Sequence, residues 1–323
     1  MEPTVTPTDV AAAAQRLAGI VHHTPVMHSR TLNNLAGSPG RAIYLKCENF
    51  QRVGAFKFRG AYNAVSQLSP AEKQAGVITH SSGNHAQGLA LAARLLGVPA
   101  TIVMPHNAPL IKRRATQGYG ATIVPCDALE REAVTAQLIA AQGYTLIHPY
   151  DNDQIIAGQG TAAWELFDEI GELDFLFVPV GGGGLISGCA LAAAARSPRC
   201  QVVGVEPAIA ADANQSWREG AIHTLDYVPQ TMADGLRTRF IGQRNLAIMR
   251  RYVHDMTTAS EADIAATLCF VWERMKIIIE PSSAVALAPL YNGQYPLPAG
   301  ARAGVIISGG NVDIAHVQST IFN

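Results

Sequence analysis

The sequence predicts an α/β protein built on open parallel sheets. Short apolar runs, typical of buried strands, alternate along the chain with alanine- and leucine-rich stretches of helical periodicity. That alternation favours parallel strands joined by covering helices. The chain has 323 residues, more than the roughly 250 at which a single core tends to divide. We therefore expect two lobes with a ligand cleft between them.

Each predicted element is an apolar run or a stretch of helical periodicity. Because no internal repeat or low-complexity linker separates two halves, the chain is expected to pass from one lobe to the other and back. The predicted strands are 42–46, 76–80, 100–104, 121–124, 174–180, 201–205 and 303–307. The predicted helices are 58–68, 84–96, 185–195 and 261–275.

The composition excludes several classes of function. Hydrophobic residues make up 48% and charged residues only 15%, against about 25% charged in average soluble domains, which excludes a disordered protein. The formal charge is -1 and like charges do not cluster, so no nucleic-acid or anionic-membrane surface is expected. The expected partners are small molecules or other copies of the chain.

The sequence also predicts a cytoplasmic location. The longest weakly polar segment, 185–195, is shorter than the roughly 20 residues of a membrane span. The N-terminal segment lacks the basic-then-apolar pattern of a secretory signal. The five cysteines form no C-x-x-C pair, as expected of reduced thiols, and the histidines show no zinc spacing.

Four consecutive glycines stand between a predicted strand and a predicted helix: Gly181, Gly182, Gly183 and Gly184. Without side chains, successive backbone N–H groups can turn inward, and the helix N-terminus adds its positive dipole end. A tight turn alone seldom requires four glycines, so we interpret the segment as a phosphate site. Neither the dinucleotide nor the P-loop glycine pattern fits it, which favours a single phosphate group.

Lys57 lies between Phe56 and Phe58 where a helical pattern begins. Desolvation by aromatic rings and closeness to a helix N-terminus both disfavour the ammonium form, which would leave a nucleophilic amine. A snorkelling surface lysine is the alternative. A Schiff-base lysine and a site for one phosphate are the minimal equipment for pyridoxal phosphate. Ser308, after predicted strand 303–307, could then hydrogen-bond the pyridine nitrogen, with an ordinary glycine turn as the alternative.

A further loop between a strand and a helix offers hydroxyls, an amide and helix-start N–H groups, which suit a carboxylate. Capping of the helix by Ser82 or Asn84 is the alternative, and the two roles are compatible. The loop consists of Ser81, Ser82, Gly83, Asn84 and His85.

Together these segments resemble the fold type II pyridoxal-phosphate enzymes, specifically the serine/threonine dehydratase and serine racemase family. The matching segments run in the family's order across nearly the whole chain. They are 55–61 (AFKFRGA), 81–85 (SSGNH), 157–161 (AGQGT), 181–184 (GGGG), 233–235 (ADG), 280–281 (EP) and 308–311 (SGGN).

The resemblance implies two open, twisted α/β domains of the tryptophan synthase β type, with the active site between them. Residues 1–66 and 153–323 would form a large cofactor domain, and residues 67–152 a small mobile domain. The resemblance assigns the cofactor to Phe56, Lys57, Asn84, Gly181, Gly182, Gly183, Gly184, Leu185 and Ser308. It assigns the substrate to Ser81, Ser82, Gly83, Asn84, His85 and Arg131.

The implied roles within this set differ. Lys57 would bind the cofactor covalently, Phe56 would pack by its ring, and Asn84 would hydrogen-bond its 3′-oxygen. Ser308 would face the ring nitrogen, while backbone N–H groups of the glycine loop would bind the phosphate. The loop 81–85 would bind the substrate carboxylate.

Ser82 favours the racemase-like branch of the family, because threonine-deaminating dehydratases commonly have alanine at this position. In that branch the second serine acts as acid or base on the face opposite the lysine. Lys57 and Ser82 are therefore the implied catalytic residues.

The same branch holds a divalent cation with two carboxylates, a backbone carbonyl and waters. Glu206, Ala210 and Asp212 follow predicted strand 201–205 at that spacing. Such oxygen ligands suit Mg²⁺, Ca²⁺ or Mn²⁺. Judged from the residues alone, two acids after a strand are usually a solvated loop.

The implied activity is that of an ammonia-lyase (dehydratase). It would convert an L-3-hydroxy amino acid of the serine, threonine or 3-hydroxyaspartate class to a 2-oxo acid and ammonia by α,β-elimination. Arg131 lies near the position where relatives place an arginine for a second carboxylate, and Arg237 is another candidate. A solvated arginine is the alternative for both. Relatives are usually dimers, so a homodimer is expected.

Several alternatives stay open. A serine-type racemase would use Lys57 and Ser82 to return the proton on the opposite face, and a dehydratase could act on a bulkier substrate such as phenylserine. A nucleotide-binding oxidoreductase would explain the α/β pattern but leaves Lys57 without a role and lacks the glycine fingerprint. A non-catalytic pyridoxal-phosphate carrier would not need the loop 81–85.

Overall fold

The computed structural model describes residues 2–35, 40–81, 83–106, 108, 110–127, 129–314 and 317. It confirms the α/β class, with two sheets whose strands are mostly parallel. The strands are β1 (Val26–His28), β2 (Ala42–Cys47), β3 (Val77–His80), β4 (Ala100–Pro105), β5 (Thr122–Cys126), β6 (Thr145–Leu146), β7 (Phe175–Pro179), β8 (Gln201–Pro207), β9 (Asp255–Ala259) and β10 (Arg302–Ile307).

The helices alternate with these strands as the sequence pattern predicted. They are α1 (Pro7–Leu17), α2 (Arg30–Leu35), α3 (Lys57–Ser66), α4 (Pro70–Ala75), α5 (Asn84–Leu95), α6 (Leu110–Gly118), α7 (Arg131–Gln142), α8 (Asp153–Ile170), α9 (Gly184–Arg196), α10 (Asp212–Glu219), α11 (Gln243–Tyr252), α12 (Glu261–Phe270) and α13 (Pro281–Tyr291). Short 3-10 helices span Glu48–Phe50, Arg52–Gly54 and Asp234–Leu236, and a π-helix spans Val271–Met275.

The larger sheet has six strands in the order β1-β2-β10-β7-β8-β9, and the smaller has four in the order β5-β4-β3-β6. All neighbours are parallel except β1, which runs antiparallel to β2. Every residue of β4 and β7 is buried, because helices cover both faces of a parallel sheet. Because the helices cover the faces, the loops at the carboxyl ends of the strands are where both sheets can meet a ligand.

The predicted strands are present, each within two residues at either end. Three strands escaped prediction: β1, β6 and β9. The predicted helix 261–275 ends as an α-helix at Phe270 and continues as the π-helix. All strands of the smaller sheet fall within residues 77–146, inside the small domain predicted at 67–152, although the domain boundaries themselves stay a prediction.

Helices α3, α8 and α9 pack backbone to backbone at glycines. A Cβ on Gly158 of α8 would lie 2.6 Å from the Cα of Gly60 in α3, and a Cβ on Gly160 would collide with the carbonyl of Gly188 in α9. Side chains at these positions would force the helices apart. Helix α3, which begins at Lys57, and helix α9, which follows the glycine loop, are thus both fixed against α8.

None of the helices in the described part of the chain combines the length and the apolar character that a membrane crossing requires.

Candidate active site

The loop that carries Lys57 is joined to the loop that carries Ser308 by backbone hydrogen bonds. The N–H of Phe56 donates to the carbonyl of Ser308 at 3.0 Å, and the N–H of Gly310 donates to the carbonyl of Gly54 at 2.9 Å. The two loops follow the neighbouring parallel strands β2 and β10. The structure therefore brings together Phe56, Lys57 and Ser308, three of the residues that the sequence assigned to one cofactor.

Lys57 is the first residue of α3, and its side chain is partly buried. Its Nζ donates to the carbonyl of Pro149 at 2.8 Å and lies 5.1 Å from the centre of the Phe56 ring. Burial lowers the pKa of Lys57 from 10.5 to about 8, and the nearby Glu280 carboxyl acts in the opposite direction. A substantial fraction of the amine is therefore neutral near pH 8.

This pKa predicts how covalent binding of pyridoxal phosphate depends on pH. Only the neutral amine attacks an aldehyde, so the capture rate should rise as Lys57 loses its proton. We expect the rate with apoenzyme to climb to a plateau with a midpoint near pH 8, measured by stopped-flow visible absorbance. A midpoint near 10.5, the value of an unperturbed lysine, would contradict the burial of the amine. Free N-acetyl-lysine serves as the control.

The four glycines of the phosphate loop differ in what requires them. Gly183 has a φ of +91°, which favours glycine. A Cβ on Gly182 would overlap the ring of Tyr150, and one on Gly184 would lie 3.0 Å from the Tyr150 carbonyl oxygen. The loop is buried and leads directly into α9, whose first N–H groups have no partners within the helix. These N–H groups suit an anion.

Asn245 ties the glycine loop to the segment that contacts Lys57. Its Nδ2 donates to the carbonyl of Gly182 at 2.7 Å and to the carbonyl of Tyr150 at 3.2 Å. Tyr150 follows Pro149, which accepts the hydrogen bond of Lys57. A continuous set of contacts therefore runs from the lysine amine to the glycine loop.

The predicted carboxylate loop lies at the end of β3. Ser82 falls outside the described residues. Gly83 occupies the N-cap position of α5, and its N–H donates to Ser81 Oγ at 3.3 Å. Asn84 is the first residue of the helix rather than its cap. The early N–H groups of α5 are directed toward this edge of the smaller sheet and suit a carboxylate.

His85 is buried, and its Nε2 lies 3.0 Å from the carbonyl oxygen of Ile147. Because a carbonyl only accepts, Nε2 carries the proton and Nδ1 is an acceptor. Nδ1 has no partner among the described residues. Burial, followed by the charge of Lys57, holds the pKa of His85 well below its usual range. The backbone N–H of His85, not its ring, is thus the group able to donate to a carboxylate.

Asn84 contacts two polar side chains, one just before α13 and one after β10 of the larger sheet. Its Nδ2 donates to both oxygens of Glu280, at 2.9 and 3.1 Å, and its Oδ1 accepts from Asn311 Nδ2 at 2.9 Å. Burial, followed by the charge of Asp234, raises the pKa of Glu280 to about 7. A carboxyl that can hold a proton near neutral pH therefore orients the residue predicted to meet the cofactor 3′-oxygen.

Aromatic rings pack edge to face beside Lys57. The ring centres of His80 and His148 are 5.6 Å apart, and those of His148 and Tyr150 are 4.6 Å apart. Burial and the proximity of His80 lower the pKa of His148 to about 4, so this ring is neutral. Burial lowers the pKa of His80, Glu132 opposes this, and the charge of Arg131 lowers it further. Arg131, the first residue of α7, therefore acts electrostatically on this part of the site.

Arg237, the other candidate for a second carboxylate, is bound within its own loop. Its Nε and Nη2 donate to the carbonyl of Thr231 at 2.9 and 2.6 Å. The two arginines therefore differ: the charge of Arg131 acts on His80, whereas Arg237 binds a carbonyl of its own loop.

Glu206 and Asp212 lie together at the carboxyl end of β8. The oxygens of Glu206 accept from the N–H groups of Ala213 and Asn214, at 3.0 and 2.6 Å. Both oxygens of Asp212 are buried and lack a hydrogen-bond partner among the described residues. Burial raises the pKa of Asp212 to about 7, and burial with the charge of Asp212 raises the pKa of Glu206 well above its usual range. A buried carboxyl pair of this kind is stabilised by a bound proton or by a cation.

Ala210, the third predicted ligand, is buried in the turn between these carboxylates, and its N–H donates to the carbonyl of Pro207 at 2.8 Å. The described residues contain no group of three or more histidine, cysteine or acidic side chains that could hold a metal ion. Any cation here would therefore depend on backbone oxygen and water besides the two acids.

A family model described as "Pyridoxal-phosphate dependent enzyme" matches residues 17–309. The chain belongs to this family. It is 49% identical over 315 residues to L-threo-3-hydroxyaspartate ammonia-lyase of Saccharomyces cerevisiae, covering 97% of this chain and 95% of that protein. It is 47% identical to serine racemase of Schizosaccharomyces pombe, covering 96% of each. The crystal structure of serine racemase from Dictyostelium discoideum superposes with a TM-score of 0.90 at 43% identity, covering 96% of this chain and 100% of that one.

Several residues of this pyridoxal-phosphate enzyme that contact the predicted site were not singled out from the sequence: Tyr150, Asn245 and Ser283, whose Oγ lies 3.0 Å from Ser308 Oγ. Tyr150 follows β6, a strand of only two residues, which is too short for an apolar run to reveal. Asn245 and Ser283 lie on helices, where only tertiary contacts give them a role. Among these, only Tyr150 could have been found by inspecting loops after strands.

Proposed function

We propose that the protein is a pyridoxal-phosphate-dependent ammonia-lyase that converts an L-3-hydroxy amino acid, with L-threo-3-hydroxyaspartate as its main substrate, to a 2-oxo acid and ammonia. The observation that carries this proposal is the linked geometry of Lys57, the glycine loop and Ser308. Identities of 49% and 47% to two proteins named L-threo-3-hydroxyaspartate ammonia-lyase support the choice of substrate.

The residues of the site fit pyridoxal phosphate. Lys57 offers an amine with a lowered pKa, the loop from Gly181 to Leu185 offers buried N–H groups beyond β7, and Ser308 offers a hydroxyl beyond β10. Phe56 would flank the ring, and Asn84 would donate to the 3′-oxygen. When bound, the cofactor supplies an electron sink for the pair left at the substrate Cα.

Lys57 is the proposed base. Its neutral Nζ takes the Cα proton, and the carbonyl of Pro149, 2.8 Å away, keeps the amine oriented toward the site. Partial burial against Phe56 excludes water, which favours the neutral amine. Ser82 would hold a proton on the opposite face, as the resemblance to the racemase-like branch implies.

The substrate carboxylates would be bound by two separate groups. The α-carboxylate would accept hydrogen bonds from the N–H groups at the start of α5, contributed by the loop Ser81 to His85. The second carboxylate of 3-hydroxyaspartate would pair with Arg131, whose charge already acts on His80. Serine and threonine lack this second carboxylate, so Arg131 would discriminate between the two classes of substrate.

Glu206, Ala210 and Asp212 would hold a divalent cation such as Mg²⁺. The observation that fits this group is that the buried oxygens of Asp212 have no hydrogen-bond partner in the described part of the chain, because a buried carboxylate without a donor is costly unless a cation meets it. The cation would stabilise the start of α10 rather than take part in bond breaking. A homodimer and a cytoplasmic location stay predictions from the sequence.

The test is release of 2-oxo acid from L-serine, L-threonine, the 3-hydroxyaspartate isomers and phenylserine, by the wild type and Arg131→Met. We expect L-threo-3-hydroxyaspartate to react fastest, and Arg131→Met to lose about 10²-fold in kcat/KM for it but not for serine, as for a charge-assisted pair. The exposed Arg114→Met is the matched control. EDTA should lower the melting temperature, and Mg²⁺ should restore it.

A serine racemase is the second candidate, favoured by the 47% identity to the Schizosaccharomyces pombe enzyme. It predicts D-serine formation from L-serine faster than pyruvate release. Uniform silence of the panel with bound pyridoxal phosphate would reject the lyase, and equal rates on serine and 3-hydroxyaspartate would reject the role of Arg131.

A further inference from the structure

Ser283 is a buried serine in the first turn of α13. Its Oγ accepts from the N–H of Gly309 at 2.7 Å, can donate to the carbonyl of Gly309 at 2.7 Å, and lies 3.0 Å from Ser308 Oγ. It therefore contacts both the backbone and the side chain of the loop proposed to face the cofactor ring. Nothing in the sequence pattern assigns it a role.

The protons available to this serine pair can be counted. A hydroxyl has one proton and two lone pairs, and the Gly309 N–H occupies one lone pair of Ser283. The Ser283 proton can point to the Gly309 carbonyl or to Ser308 Oγ. The Gly309 carbonyl also accepts from the N–H of Glu280 at 3.0 Å, so it stays satisfied when the Ser283 proton turns to Ser308.

The direction chosen by Ser283 determines what Ser308 can do. If Ser283 donates to the Gly309 carbonyl, Ser308 must donate to Ser283 and presents only lone pairs elsewhere. If Ser283 donates to Ser308, the Ser308 proton is released for another acceptor. Among the described residues, no ionisable side chain hydrogen-bonds either hydroxyl, so this choice rests with the pair and its ligand.

We propose that Ser283 is a positioning residue that donates to Ser308 Oγ and thereby directs the Ser308 proton to the ring nitrogen of pyridoxal phosphate. This inference rests on the proposed function, which assigns Ser308 to that nitrogen. The donors then run in one direction, from Gly309 N–H through Ser283 and Ser308, and bonds so aligned strengthen one another. A donating Ser308 favours an unprotonated ring nitrogen, which is an acceptor.

The test is the nitrogen NMR resonance of holoenzyme reconstituted with ring-nitrogen-labelled pyridoxal phosphate. The wild type should give the resonance of an unprotonated, hydrogen-bonded nitrogen. Ser308→Ala should move it toward the resonance of a free pyridine, and Ser283→Ala should move it part of the way in the same direction. Each variant should weaken cofactor binding, Ser308→Ala by about tenfold, the equivalent of one buried hydrogen bond.

The double variant, with alanine at both 283 and 308, tests whether Ser283 acts through Ser308, which we call the relay, or only supports the local structure. If Ser283 acts through Ser308, Ser283→Ala should cause no further shift once Ser308 is alanine. Ser282→Ala is the matched control: this neighbouring buried serine accepts from the N–H of Gly235 at 2.9 Å instead, and the resonance should not move. Ser283→Cys, which keeps a weak donor, should give a smaller shift and serves if the alanine variant fails to fold.

The outcomes distinguish this inference from the proposed function beneath it. No shift in Ser308→Ala would overturn the assignment of Ser308 to the cofactor. A shift in Ser308→Ala with none in Ser283→Ala or Ser283→Cys would overturn only the relay. Additive shifts in the double variant, or a protonated nitrogen in the wild type, would also overturn the relay.

Discussion

Replacing Lys57 with alanine is expected to lower kcat for 2-oxo acid release by at least about 10⁴-fold, because the proposed base and the covalent anchor are lost together. The Lys57 amine donates to the Pro149 carbonyl beside Phe56, and alanine would leave the cofactor to non-covalent contacts with the glycine loop. Steady-state turnover on L-threo-3-hydroxyaspartate measures the first effect. Borohydride reduction followed by mass spectrometry measures the second.

The controls for this variant separate chemistry from charge. Lys57→Arg keeps a cation but cannot bind the cofactor covalently, so it should be as inactive as Lys57→Ala. Lys73→Ala, which removes a half-buried lysine bonded to the carbonyl of Ser66, should leave turnover unchanged. Turnover of Lys57→Ala within tenfold of the wild type, or a reduced adduct on another lysine, would refute the proposed mechanism.

Replacing Arg59 with alanine is expected to lower the free energy of unfolding by about 3–5 kcal/mol, as for breaking a buried ion pair. The Arg59 side chain is fully buried and donates to both oxygens of Glu48, at 2.7 and 2.8 Å, and to both oxygens of Glu165, at 2.7 and 2.8 Å. Its removal leaves the buried Glu48 carboxylate without its cation. Urea unfolding followed by circular dichroism measures the loss.

Arg59→Lys should recover only part of this loss, because an ammonium group cannot donate to two carboxylates with the geometry of a guanidinium. Arg199→Ala is the matched surface control. Its ion pair with Glu172 is 2.7 Å long, but the Arg199 side chain is 88% exposed, and solvent screens such pairs so that they contribute little to stability. A loss below about 1 kcal/mol for Arg59→Ala would mean that water reaches Glu48 readily.

The sequence was most informative where a local pattern is sufficient. Seven of the ten strands and the glycine loop were recognisable because each is an apolar run or stands directly after one. Lys57 was recognisable because it lies between two phenylalanines at the start of a helical pattern. The same reasoning missed α8, an 18-residue helix, because Gly158 and Gly160 interrupt its pattern. Those glycines are required by the close approach of α3 and α9, which no local pattern reveals.

Helix α13 was missed for a different physical reason. Its first ten residues are buried, so it has no polar face and no amphipathic period, and Pro289 lies inside it. Its role is also tertiary, because it brings Ser283 to Ser308 across 25 positions of sequence. Glu280 and Asn311, which both hydrogen-bond Asn84, likewise come from distant segments. Contacts in the site between residues that are distant in the sequence could therefore not be predicted from the sequence alone.

The glycine contacts of α8 with α3 and α9 also bear on how this enzyme could acquire new substrates. They hold Lys57 and the glycine loop in one block whose helices leave no room for added atoms, so we expect substitutions at these glycines to be destabilising. Variation can accumulate instead at the ends of β3 and β6 and at the start of α7, where Ser81, Tyr150 and Arg131 lie. Proteins named racemase and ammonia-lyase share nearly half of this sequence, and we expect their differences from it to be concentrated at these strand and helix ends.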